Sequence, residues 1–274
     1  MLLVDAHVHI YDCFNLKTFF DSAYCNFKTH ADRFGHGDDF TGILLLAETA
    51  RDNWFHNLSS YAEGHGLPGN RQTGPWRFHH TAEAESLCAR SDDNRKLFLI
   101  AGRQVVAAEG LEVLALAGTG TFSDGTLINE LIESVLEKDE VPVIPWGVGK
   151  WVGKRGTVVR SLLETGNKDI IFLGDNSGRP IFWPRPGLFK KGDSKGFRIL
   201  PGSDPLPFAD ECHRVGNFGF MILWTLSLEN PAKDLKQFLL NSTEYLRPYG
   251  RLERPLRFFH NQINLRLRPF LSRS

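Results

Sequence analysis

The chain lacks the features that mark several common protein classes. Its four cysteines, Cys13, Cys25, Cys88 and Cys212, have no CxxC spacing. That excludes a zinc ribbon and a dense disulfide framework, and fits thiols kept reduced in a cytosol. No run of about eighteen apolar residues occurs, so no membrane-spanning helix is expected. The first residues carry no basic stretch before their apolar run, which Asp5 and His7 soon interrupt, so the expected location is cytoplasmic. An excess of one charge is missing too, because 32 Lys and Arg balance 32 Asp and Glu. No global field draws the chain to nucleic acid or a membrane, and an anionic partner must be met by a local cluster.

What the chain does have is a β-prone apolar opening that carries His7 and His9 two residues apart. In an extended strand, side chains at i and i+2 leave the same face with Cα atoms about 6.5 to 7 Å apart. Two imidazoles so placed can share one metal ion. The competing reading is a core histidine satisfied by hydrogen bonds.

Seven short apolar runs, at residues 2–6, 42–47, 97–102, 112–117, 141–146, 170–174 and 198–202, read as strands. Their hydrophobicity is continuous, as in parallel strands buried on both faces. Helical patterns at 15–25, 127–138 and 157–163 fall between them. This alternation predicts an α/β fold, a barrel or an open sheet. Polar residues gather at the strand ends: Glu48, Gln104, Asp175 with Asn176, and Asp204. In a parallel barrel these ends share one face with His7 and His9, and that face holds the site. For Asp175 and Asn176 a plain turn or helix cap is an equal reading.

Two segments interrupt the pattern. Residues 51–94 carry His56, His65, His79 and His80, and read either as a lid or as a surface excursion with a helix at 81–89. His79 and His80 beside Arg77 suit an anionic group. Residues 177–197 interleave Arg179, Arg185 and lysines with aromatics, and Pro180, Pro184 and Pro186 favour an ordered loop over a helix. Residues 217–274 read as closing helices at 218–228 and 231–245 followed by a basic tail running to Arg273. The tail either packs its apolar residues with arginines in solvent or meets a phosphate backbone.

The strand ends together resemble the polymerase and histidinol phosphatase (PHP) family of metal-dependent phosphoesterases. The resemblance rests on His7-Val8-His9, on Ile100 to Gln104 followed by Leu111 to Leu116, and on Pro201-Gly202-Ser203-Asp204, in the family's order. It implies a distorted (β/α)7 TIM-like barrel as a single domain over 1–274, with an insertion at about 51–94. It also implies a divalent metal, Zn, Mn or Fe, as one or two ions on His7, His9 and Asp204, with Glu48 or Asp175 as a further ligand. Gln104 stands where the family has a bridging glutamate, Glu112 where it has a histidine, Pro145-Trp146 where it has His-Pro, and Leu206 where it has a histidine. A neutral amide bridges cations poorly, so the implied cluster is smaller than the family's.

The expected activity is hydrolysis of a phosphoester on a small phosphorylated or anionic substrate. In that reading Asp175, His79 and His80 take catalytic roles, and Arg103, Gln104 and Arg179 bind substrate. Nucleic acid is a less favoured partner. Two alternatives stand beside it: a catalytically degenerate barrel that binds a ligand or partner, and an amidohydrolase-type enzyme that cleaves a C–N bond or a lactone.

Overall fold

The computed structural model describes residues 1–271, with side chains to residue 267. The sequence-predicted Arg268 and Arg273 side chains lie outside the described residues. The chain begins with β1 (Leu2–Val8), α1 (Leu16–Arg33), β2 (Thr41–Leu46) and α2 (Trp54–Ala62), followed by the hairpin of β3 (Trp76–His80) and β4 (Ser86–Ser91). It continues with β5 (Lys96–Ile100), β6 (Gly102–Val106), β7 (Glu112–Leu116), α3 (Ile128–Glu137), β8 (Val141–Pro145), α4 (Gly153–Thr165) and β9 (Phe172–Asn176). It ends with α5 (Gly187–Lys195), β10 (Ile199–Gly202), β11 (Phe218–Ile222), α6 (Pro231–Asn241), β12 (Arg247–Gly250) and α7 (Pro255–Leu271).

The strands form two mixed sheets, one of seven strands ordered β12-β11-β1-β2-β5-β4-β3 and one of five ordered β10-β9-β8-β7-β6. The α/β class expected from the sequence holds, but the ladders do not make one closed parallel barrel. β7 runs antiparallel to both neighbours. The expected strand at 97–102 is in fact two, because the chain leaves the larger sheet at Ile100 and enters the smaller one at Gly102.

The two sheets meet at two seams. At one, Asp204 donates its N–H to the His7 carbonyl at 2.8 Å. At the other, Glu48 donates to the Gly102 carbonyl at 3.1 Å and accepts from the Gln104 N–H at 2.8 Å. A glycine sits at each seam for lack of room. A Cβ on Gly202 would lie 2.3 Å from the His7 nitrogen, and one on Gly102 would lie 2.4 Å from the Leu46 oxygen.

Three apolar layers hold these parts together. Phe19, Phe20, Phe27 and Trp54 of α1 and α2 pack on one face of the larger sheet. Val4, Ile43, Leu114, Val143, Phe172 and Leu200 fill the space between the sheets. Leu131, Val135, Val159 and Phe189 of α3, α4 and α5 cover the smaller sheet. Burial on both sides explains why β1 is apolar at nearly every position. α1 follows the helical period, burying Leu16, Phe19, Phe20, Ala23 and Phe27, and Asn15 caps it by accepting the Thr18 N–H at 2.9 Å.

Four local expectations are corrected. Residues 81–89 are a turn and β4, so the 51–94 insertion adds α2 and a hairpin to the edge of the larger sheet. Residues 218–228 start with β11, where Phe218–Ile222 is buried throughout and pairs antiparallel with β1. Residues 177–197 contain α5, which begins just past the last proline and ends at the left-handed Gly196 (φ 83). Finally, the closing segment contributes β11 and β12 as well as helices.

Two buried carboxyls bear on stability. Asp5, fully buried, accepts the Ser203 N–H at 2.7 Å and the Gly216 N–H at 2.8 Å, and burial pushes its carboxyl up to about 7. Glu140 accepts the Gly120 N–H at 2.7 Å through Oε1, while its buried Oε2 has no hydrogen-bond partner among the described residues, and burial pushes it up to about 7 as well. Because the folded value is raised, the Glu140 contribution is whole below its unfolded value and is lost as pH rises through about 7. E140Q removes this titration. After allowance for solvent screening, the wild type should lose about 2 to 3 kcal/mol relative to E140Q between pH 4.5 and pH 8, read from urea midpoints.

Candidate metal centre

β1 delivers His7, and the residue just past its end, His9, to one rim, and the turn after β10 delivers Asp204 beside them. Both histidines are buried. The His7 Nε2 lies 3.0 Å from the His9 Nε2, and each lies 3.6 Å from Asp204 Oδ1. One ligand atom from each of the three residues falls within 4.8 Å of the others. Gln104 Oε1 joins from β6, 3.1 Å from the His7 Nε2. Asp204 adopts a left-handed backbone (φ 45), which aspartate tolerates better than most residues. Its Oδ2 accepts from Asn176 Nδ2 at 2.9 Å, and that amide also donates to the Trp146 carbonyl at 2.8 Å.

The donor chemistry fits a cation. Four lone-pair-bearing atoms converge, and two neutral imidazoles bring at most two protons to them. Burial pulls both His7 and His9 down to about 4, so at neutral pH they are in the uncharged form that binds metals. Loss of water pushes the Asp204 carboxyl up, the cost a bound cation offsets. Separations of 3.0, 3.6 and 3.6 Å bracket the edge of about 3.4 Å expected of a tetrahedron with bonds near 2.1 Å. The buried His9 Nδ1 has no hydrogen-bond partner among the described residues.

A cavity of about 230 Å³ opens on Asp204 and Asn176, with Glu112, Lys150, Arg214 and Trp146 in its wall and α7 along one side. Glu112, at the start of the antiparallel β7, reaches the same rim and is ion-paired with Lys150. Arg214 is held by Glu253 and by the Ser177 hydroxyl.

In fold, the chain resembles PsfC. The crystal structure of PsfC from Pseudomonas syringae PB-5123 matches with a TM-score of 0.53 at 12% identity, covering 90% of this chain and 91% of that one. The lesion-specific endonuclease PfuEndoQ from Pyrococcus furiosus gives 0.46 at 11% identity, covering 90% of this chain and 57% of that one. No family model matches the chain, and no curated protein matches it in sequence. The likeness to PsfC concerns the path of the backbone, so the chemistry is read from side chains.

Of the sequence-predicted site residues, His7, His9, Asp204 and Gln104 come together. The others are engaged elsewhere. Glu48 Oε1 accepts the Phe55 N–H at 2.7 Å near the start of α2, and its Oε2 lies 3.7 Å from Arg103. Arg103 also holds the loop after β2 through the Asp52 carbonyl at 3.0 Å. Asp175 is clamped by Arg179, with Nη2 at 2.7 Å and Nε at 3.1 Å, which occupies both residues. His79 and His80 lie on the edge strand β3, exposed to solvent. The sequence reading preferred Asp175 where the structure uses Asn176. Strand alternation sends the two to opposite faces, and choosing between them needs the register of β9. No local pattern flags Lys150, which reaches Glu112 from the loop after β8.

Proposed function

We propose that this chain is a metal-dependent hydrolase of the PHP type that cleaves a phosphoester, with one divalent ion, Zn, Mn or Fe, held by His7, His9 and Asp204. The convergence of two buried neutral imidazoles and one carboxylate on a common point carries this reading. The seams joining β1 to β10 and β2 to β6 support the distorted-barrel form of the fold. A divalent ion at this point would supply Lewis acidity and a lowered pKa for water. The chain's own residues do the rest. Asn176 orients the Asp204 carboxylate, Gln104 stands beside the His7 nitrogen, and Lys150 presents an ammonium in the wall of the cavity for an anionic phosphoryl group. Arg179, paired with Asp175, is not among the residues lining this cavity, whereas Lys150, itself paired with Glu112, is, so the substrate-binding role passes to Lys150.

Chelator-treated protein should not turn over aryl phosphate mono- and diesters, and reconstitution with Mn, Zn or Fe should restore turnover. Absence of turnover with all three would contradict the proposal. K150Q should raise KM for the phosphoester about fivefold or more with metal content unchanged. A KM equal to wild type would remove Lys150 from substrate binding.

A second reading, a scaffold that binds a metal and a ligand without turnover, draws on the neutral Gln104 at the centre. Metal uptake without hydrolysis of any ester would favour it. The amidohydrolase-type reading is weaker, because β8 and β9 end in Pro145 and in Asp175-Asn176 rather than in histidines.

A further inference from the structure

Three cations stand in register across the outer strands of the larger sheet. Arg77 on β3 is the cross-strand partner of Arg90 on β4, and Arg90 is the partner of Lys96 on β5. Like charges placed directly opposite each other destabilise a sheet. Among the described residues none of the three is in an ion pair, whereas the neighbouring Arg95 binds both Asp21 and Asp93. The Arg77 guanidinium is anchored by the Gly74 and Trp76 carbonyls at 2.8 and 3.2 Å.

The adjoining row on the same face is His79, Cys88 and Phe98, by register and strand alternation. Arg90, Lys96, His79, Phe98 and Leu228 line a groove of about 220 Å³. Phe98 is buried, and Lys96 Nζ lies 5.6 Å from its ring. β5 runs parallel to β2, and β2 to β1. Lys96 opens β5 whereas His9 and Asp204 lie beyond the carboxyl ends of β1 and β10, so the row sits at the opposite end of the sheet from the triad.

We propose that this groove is a second site, independent of the metal centre, that binds a ligand carrying two or more adjacent phosphoryl groups. Arg90 and Lys96 line the groove from strands about 4.8 Å apart, and Arg77 continues their row beyond it, a run of charge that suits several phosphoryl groups in series better than one. The exposed Leu228 and His79 in the wall give a carbon-bearing part of the ligand a surface to lie on. In a chain without net charge, this row supplies the local field that an oligoanion needs.

The test is binding of pyrophosphate and of a fluorescein-labelled single-stranded tetranucleotide at low salt. It is done in full-length H7A/H9A, so that metal-centre binding does not contribute, with and without R90Q/K96Q. At least one probe should bind, and R90Q/K96Q should weaken it tenfold or more. The thermal midpoint without ligand should be unchanged or higher, because a repulsion has been removed. Binding of pyrophosphate alone assigns a small ligand, and binding of the oligonucleotide assigns a phosphodiester chain. Should R90Q/K96Q fail to fold, K96Q alone is the substitute and should weaken binding threefold or more. Failure of both probes to bind, or binding that the substitutions leave intact, would overturn the proposal.

Discussion

D204N should lower metal affinity by about a hundredfold or more while moving the thermal midpoint of the metal-free protein by only a few degrees. Asp204 supplies the only carboxylate of the triad, and its Oδ1 lies 3.6 Å from both imidazole nitrogens. Asparagine keeps the shape and tolerates the left-handed backbone at φ 45. It also keeps an oxygen for the Asn176 amide to bond, so the fold is spared. What it removes is the negative charge and one hard oxygen donor. Isothermal titration with zinc and a melting curve read the two effects separately. A large loss of stability without metal would mean that Asp204 serves the fold. Unchanged affinity would remove it from the ligand set.

D5A should destabilise the protein by about 3 to 5 kcal/mol in urea. The Asp5 carboxylate bonds three segments distant in sequence: its own strand β1, the Ser203 amide after β10, and the Gly216 amide before β11. Truncation leaves two buried N–H groups without acceptors next to a new cavity. D5N should cost nearly as much, because the Ser203 and Gly216 amides bond different oxygens of the carboxyl, and the carboxamide NH2 would face one of these N–H donors. The same bonds fix the seam that presents His7 opposite Asp204, so zinc affinity should fall with stability. A cost below about 1 kcal/mol would show that the seam is held by packing alone.

Much of this was legible in the sequence, in particular ways. Continuous apolar runs reveal strands buried on both faces, and the runs at 2–6, 42–47, 112–117, 141–146 and 198–202 each contain or nearly match a strand. The histidine pair and Asp204 stand out because polar residues that end buried strands are few. Edge elements were harder to read. β3 and β4 alternate buried and exposed residues and carry the polar content of a loop, and β11 is a short apolar run that reads equally well as a helix. Partner assignments such as Asn176 with Asp204 and Lys150 with Glu112 depend on register between segments. One residue of register decides which side chain faces the site.

The central claim is that His7, His9 and Asp204 together hold one divalent ion. Elemental analysis of purified wild type and H7A/H9A after equilibration with zinc and desalting tests it most directly. The account predicts about one ion per chain in the wild type and none above background in the variant, with both proteins folded by circular dichroism. Equal metal content in the two, or none in the wild type, would contradict it.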